Sequence, residues 1–99
     1  MDVTLLYFDD CPNWRETDRI LDGLAADRRF QVTRQKVTTY EEAERLQFRG
    51  SPTVLIDGVD PFADPDSPVG LACRVYWTPA GPRGSPTDAM LKHALDASG

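Results

Sequence analysis

Apolar residues run almost unbroken from Val3 to Phe8, rich in branched and aromatic side chains, and stop at Asp9-Asp10. A short run without polar alternation reads as a central strand covered on both faces. Beyond Pro12, which suits the opening of a helix, the residues Trp14, Thr17, Leu21 and Leu24 recur at three- and four-residue spacing, which predicts an amphipathic helix over about 13–26. Residues 30–37 favour β structure but include Gln31, Arg34, Gln35 and Lys36, a composition suited to a sheet edge, where charge discourages further pairing. Strand, helix and strand within about thirty residues predict a right-handed parallel βαβ unit.

Thr39-Tyr-Glu-Glu42 has the form of a capping box and opens a short helix with Ala43 and Leu46 inward. Gly50 follows, then Pro52-Thr-Val-Leu-Ile-Asp57, a second buried strand ended by Gly58. From Val59 to Pro86 the chain holds six of its eight prolines. That density predicts a long Pro/Asp-rich loop over 58–73, with Arg74–Thr78 as the last strand. Ser85-Pro86-Thr87-Asp88 supplies an N-cap, a first-turn proline and a first-turn carboxylate for a closing helix striped by Leu91, Ala94 and Leu95. No repeat, linker or low-complexity tract divides the chain, so it reads as a single α/β domain over 1–99 of order β-α-β-α-β-β-α.

Composition narrows the function classes. The 99 residues carry 11 Lys+Arg against 16 Asp+Glu, a net charge of −5, with 40% apolar and 27% charged positions. Such a chain builds one modest core, burying roughly 60 to 70% of its unfolded surface. It has no basic block, which argues against nucleic acid or anionic lipid as partner. Val3–Phe8 is far short of the roughly 20 apolar residues a membrane span needs and no basic segment precedes it, so a cytoplasmic protein is expected. Two cysteines, Cys11 and Cys73, are too few for a disulfide scaffold, which makes their value chemical or nil.

The element order, the run Val3–Phe8 leading into Cys11-Pro-Asn-Trp14, and Gly50-Ser-Pro-Thr53 ahead of the third strand resemble the thioredoxin-like superfamily in its smaller, glutaredoxin-sized form, over nearly the whole chain. More narrowly, Asp10-Cys-Pro-Asn-Trp14, Gly50-Ser-Pro-Thr53, Asp60-Pro-Phe-Ala63 and Gly70-Leu-Ala-Cys-Arg-Val-Tyr76 look like the bacterial DF family of (seleno)proteins. The resemblance implies a four-stranded mixed sheet flanked by three helices. It also implies a reactive Cys11 at the start of the first helix and a cis peptide before Pro52 facing it. The backbone of Ser51 is then expected to pair with an extended thiol substrate, with Pro12, Trp14, Pro52 and Thr53 completing the substrate site. No cofactor is implied beyond glutathione as a co-substrate.

Thiol exchange requires a thiolate, and a free cysteine with pKa about 8.5 is mostly protonated at neutral pH. A helix N-terminus stabilises the anion at Cys11, while Asp9 and Asp10 oppose it. Trp14 stands where the family has the second cysteine of Cys-X-X-Cys, so a mixed disulfide on Cys11 must be resolved by glutathione or by Cys73. Two geometries stay open. If residues 74–78 form a hairpin with 52–57, Cys73 begins the last strand at the end remote from Cys11; if the fifteen residues from Gly58 to Ala72 fold back, the two sulfurs meet.

The first functional reading is therefore a thiol-redox protein in which Cys11 attacks a thiol or disulfide substrate, small molecule or protein, and Cys73 or glutathione resolves it. A second is a soft-metal site in which Cys11 and Cys73 grip mercury or copper(I), with Asp10 as proton donor in cleaving an organomercurial. A third is a non-catalytic adaptor. The aspartates 57, 60, 64 and 66 lack the spacing of a calcium loop and read as a solvated cluster. His93 has no partner at ligand spacing and belongs on the surface. Trp14, Phe62, Tyr76 and Trp77 are core residues or the lining of a cleft around Cys11, and Arg49 and Arg74 read as solvated arginines.

Overall fold

A computed structural model describes residues 1–64 and 66–98; Pro65, one of the six prolines of the loop-rich stretch, and Gly99 lie outside the described residues. The elements are β1 (Asp2–Tyr7), α1 (Trp14–Arg28), β2 (Gln31–Lys36), α2 (Tyr40–Leu46), β3 (Thr53–Ile56), β4 (Tyr76–Thr78), β5 (Gly81–Arg83) and α3 (Asp88–Ser98). β1 lies at the centre of a three-stranded sheet, parallel to β2 and antiparallel to β3, with Val3 opposite Val32 and Ile56. Its unbroken apolar run has the expected consequence. Val3 and Leu5 join Leu21, Leu24, Val54, Leu91 and Leu95 beneath α1 and α3, while Leu6 joins Val37, Ala43 and Phe48 beside α2. The polar strand β2 takes the edge, and Arg34 ties it to Asp18 and Asp22 of α1.

The helices start and stop by local chemistry. Thr39 caps α2, its hydroxyl accepting from the Glu42 amide at 3.1 Å. α1 ends where Arg29 adopts φ 58° and donates its amide to the Ala25 carbonyl at 2.8 Å. α3 begins later than Ser85-Pro86 predicts. Thr87 takes the cap in place of Ser85, its hydroxyl accepting from the Met90 amide at 3.1 Å.

The expected four-stranded mixed sheet does not form. β4 pairs antiparallel with β5, Tyr76 opposite Arg83, as a separate two-stranded ribbon. The cause lies just ahead of β4, where the Ser51 amide donates to the Ala72 carbonyl at 2.8 Å and the Arg74 amide donates to the Ser51 carbonyl at 3.0 Å, a parallel bridge between Ser51 and Cys73. A chain that enters parallel beside the start of β3 is not running back along it, as the expected hairpin requires. β4 instead finds its partner in Gly81-Pro-Arg83, a strand the sequence pattern does not announce. The connecting turn is closed by Thr78 Oγ1 donating to the Gly81 carbonyl at 2.7 Å, with Gly81 at φ 102°.

Candidate functional site

The first sulfur is positioned by the end of β1. The Cys11 amide donates to the Phe8 carbonyl at 3.0 Å and the Arg15 amide to the Pro12 carbonyl at 3.1 Å, a pair of tight turns that sets Cys11 three residues ahead of α1. There it is buried, only 1% exposed. The Phe8 amide donates to Ser51 Oγ at 3.0 Å, which ties the end of β1 to the loop before β3. The Ser51–Pro52 peptide is cis, as the resemblance implies, and Cys11 Sγ lies 3.8 Å from the Ser51 carbonyl oxygen.

The second sulfur arrives by the fold-back route. Residues 66–72 lead back to the Cys11 end of the sheet, and Cys73 is disulfide-bonded to Cys11 with a Cα–Cα distance of 5.6 Å, inside the usual span of about 4.4–6.8 Å. The backbone groups of Ser51 expected to receive a substrate strand are taken by Ala72 and Arg74 of the same chain. The protein's own cysteine-bearing segment thus occupies the groups that the resemblance reserves for an external one.

Arg74 holds that segment in place. Its guanidinium is 7% exposed and pairs with the Asp60 carboxylate at 2.7 Å. It also donates to Thr53 Oγ1 at 3.2 Å and to the Phe62 carbonyl, and lies 4.7 Å from the centroid of the Tyr76 ring. The Tyr76 hydroxyl donates to the Pro52 carbonyl, and Phe62 meets the Tyr76 ring edge-on at 5.5 Å. Burial pushes the Tyr76 phenol far above its ordinary value, against the opposing pull of the Arg74 charge. Earlier in the loop, the Gly70 amide donates to the Phe48 carbonyl at 3.0 Å and Arg49 donates to the Ser67 carbonyl. Gly50 makes room for all of this. At φ 115°, a Cβ built on it would sit 2.9 Å from the Arg74 Cβ.

Neither Arg74 nor Asp60 belongs to the solvated groups the sequence suggests; the two neutralise one another inside the loop. A signal for Arg74 was present in the strand period. Cys73, Val75 and Trp77 are exposed while Arg74 and Tyr76 are buried, so the arginine occupies the inward face of an alternating segment.

The remaining predicted site residues divide into two groups. Ser51, Pro52 and Thr53 are buried beside the disulfide, and Thr53 Oγ1 also donates to the Gly50 carbonyl at 2.6 Å. Pro12 is exposed next to Cys11, and Trp14 stacks on Tyr7 with centroids 4.3 Å apart, the Arg15 guanidinium 5.6 Å from its ring. Phe62, Tyr76 and Trp77 instead line a cavity of about 480 Å³ with Cys73 and Arg49. Asp10 is exposed, and Asp9 pairs at the surface with Lys36 at 2.7 Å. His93 lies exposed on α3, and no set of three or more His, Cys, Asp or Glu side chains able to hold a metal ion occurs among the described residues. No helix among the described residues is long and apolar enough to cross a membrane. No protein-family model, curated protein or solved structure matches the chain.

Proposed function

We propose that the protein is a thiol–disulfide redox protein that alternates between a Cys11–Cys73 disulfide and the dithiol. One observation carries this reading: a covalent bond between two cysteines 62 positions apart, one of them buried at a strand-to-helix junction and the other exposed beside a cavity. The dithiol gives two electrons to a substrate disulfide; the Cys11–Cys73 bond forms, the substrate bond breaks, and two substrate thiols leave with the two protons. A thiol such as glutathione runs the cycle in reverse and restores the dithiol. In the reducing cytoplasm expected from the sequence, such a bond is a transient of turnover and not a permanent staple.

Membership of the thioredoxin-like superfamily, and of its DF group, is part of the same proposal. It rests on the motifs at residues 10–14, 50–53, 60–63 and 70–76. Cys11→Ser is expected to abolish thiol-dependent reduction of a protein disulfide such as those of insulin, and the wild-type monomer is expected to lose two hydrogens on mild oxidation. Unchanged turnover in Cys11→Ser would overturn the reading.

A second reading follows from the same juxtaposition. Once reduced, the two sulfurs lie close enough to share one thiophilic ion, mercury(II) or copper(I), at a two-coordinate site. Titration of the reduced wild type checks it, and binding that survives Cys73→Ser undiminished would remove it.

A further inference from the structure

In the oxidised protein the two sulfurs of the disulfide differ in what surrounds them. Cys11 is 1% exposed and its Sγ faces the Ser51 carbonyl oxygen at 3.8 Å. A thiolate attacks a disulfide along the S–S axis, from behind the sulfur it bonds to. Attack on Cys11 would have to enter the packed junction of β1, α1 and the loop before β3, where the nearby Ser51 carbonyl oxygen adds negative potential. Asp10, exposed one residue ahead of Cys11, adds a further negative charge, while Asp9 is paired with Lys36.

Cys73 offers the opposite surroundings. It is exposed, it borders the cavity of about 480 Å³, and that cavity does not include Cys11. Val75, 58% exposed, and Trp77, 76% exposed, continue the outward face that begins with Cys73. The charged groups lining the cavity are Arg49, Arg74 and Asp64, and Arg74 is neutralised by Asp60, so one cation and one anion stand at the wall. An anionic thiol therefore meets no net repulsion there.

We infer that a partner thiolate attacks Cys73 Sγ and that Cys11 is the leaving group, the reverse of the roles suggested by the position of Cys11 at the helix start. The incoming sulfur forms a bond to Cys73, the Cys11–Cys73 bond breaks, and its electron pair departs on Cys11 Sγ, three residues ahead of α1. A second thiol then attacks the partner sulfur of the mixed disulfide, releasing the oxidised partner and the Cys73 thiolate, so that two thiols become one disulfide as the protein gains two electrons. By microscopic reversibility, Cys73 is also the sulfur that attacks an external disulfide, and Cys11 resolves it from below. The inference rests on the redox reading but is tested apart from it.

Trypsin separates the two sulfurs cleanly, Cys11 into residues 1–15 and Cys73 into residues 50–74. Oxidised wild-type protein is pulsed with reduced glutathione, quenched with N-ethylmaleimide, digested without reductant and read by mass spectrometry, with adduct ratios extrapolated to the shortest pulse. Glutathione on 50–74 with maleimide on 1–15 is expected to exceed the converse pair by about tenfold. Glutathione mainly on 1–15, equal labelling of the two peptides, or no adduct on either would overturn the assignment. Adducts on 50–74 in a protein that turns over no disulfide substrate would leave the assignment standing and refute the redox function. Adducts on 1–15 in a protein that does turn over would do the reverse.

Discussion

Replacing Arg74 with methionine keeps most of the side-chain volume but strands the Asp60 carboxylate, whose side chain is 12% exposed, beside an apolar neighbour. Removing one partner of a buried pair costs about 3–5 kcal/mol, and the residual exposure of Asp60 points to the lower end. The lost contact with the Tyr76 ring adds about 0.5–1 kcal/mol, which relaxation of the loop partly offsets. The expected loss is about 3 kcal/mol, a drop in Tm of about 12–15 °C for a domain of this size. Urea unfolding of the oxidised protein, followed by tryptophan fluorescence, measures it, and Asp60→Leu/Arg74→Met supplies the control. With no charge left stranded, the double variant is expected to recover at least half of the loss, which a simple packing defect would not do. The disulfide and the docking of residues 72–74 stabilise one another reciprocally, so Arg74→Met is also expected to be less oxidised in a glutathione buffer, about tenfold in the equilibrium for every 1.4 kcal/mol of docking removed. An Arg74→Met protein within about 0.5 kcal/mol of wild type, the range of ordinary surface substitutions, would refute the reasoning, because the guanidinium would then be no more than a solvated charge.

Two further outcomes test the same corner of the molecule. Gly50→Ala is expected to lower stability by about 1–3 kcal/mol, since its backbone has a left-handed φ and the added methyl meets Arg74, and an unchanged thermal melt would show that the close approach is not real. Tyr76 has a folded pKa raised above its unfolded value of about 10, so its contribution to stability is fully present below that pH and is lost as pH rises beyond it. Wild-type stability is therefore expected to fall more steeply than that of Tyr76→Phe between about pH 10 and 12, by up to about 1.4 kcal/mol per pH unit, and parallel curves would contradict the burial of this phenol.

The elements were legible wherever a residue's role depends on neighbours within a few positions. Thr39 and Glu42 announce the start of α2, the spacing of Thr17, Leu21 and Leu24 gives the buried stripe of α1, and the charges of Arg34 and Lys36 put β2 at the sheet edge. The cap of α3 moved from Ser85 to Thr87 because both hydroxyls are competent, and choosing between them depends on where the preceding chain is held. Gly81-Pro-Arg83 carries no strand pattern; it is a strand because β4, turned away from β3, has a free edge that pairs with the chain emerging from the turn.

The sequence by itself determined that a cysteine would follow a buried strand at the start of a helix and that Pro52 would open a later buried strand, because strand burial, helix onset and proline position are written in short-range residue patterns; that the two would face one another was implied only by the family resemblance. Only the tertiary structure decided that Cys73 reaches Cys11, that Ser51 pairs with residues 72–74, and that the last strand leaves the sheet. Those outcomes depend on a long loop choosing one of two directions. The choice is made by contacts between distant residues, above all a charge pair that is stable inside the protein because Arg74 and Asp60 arrive there together.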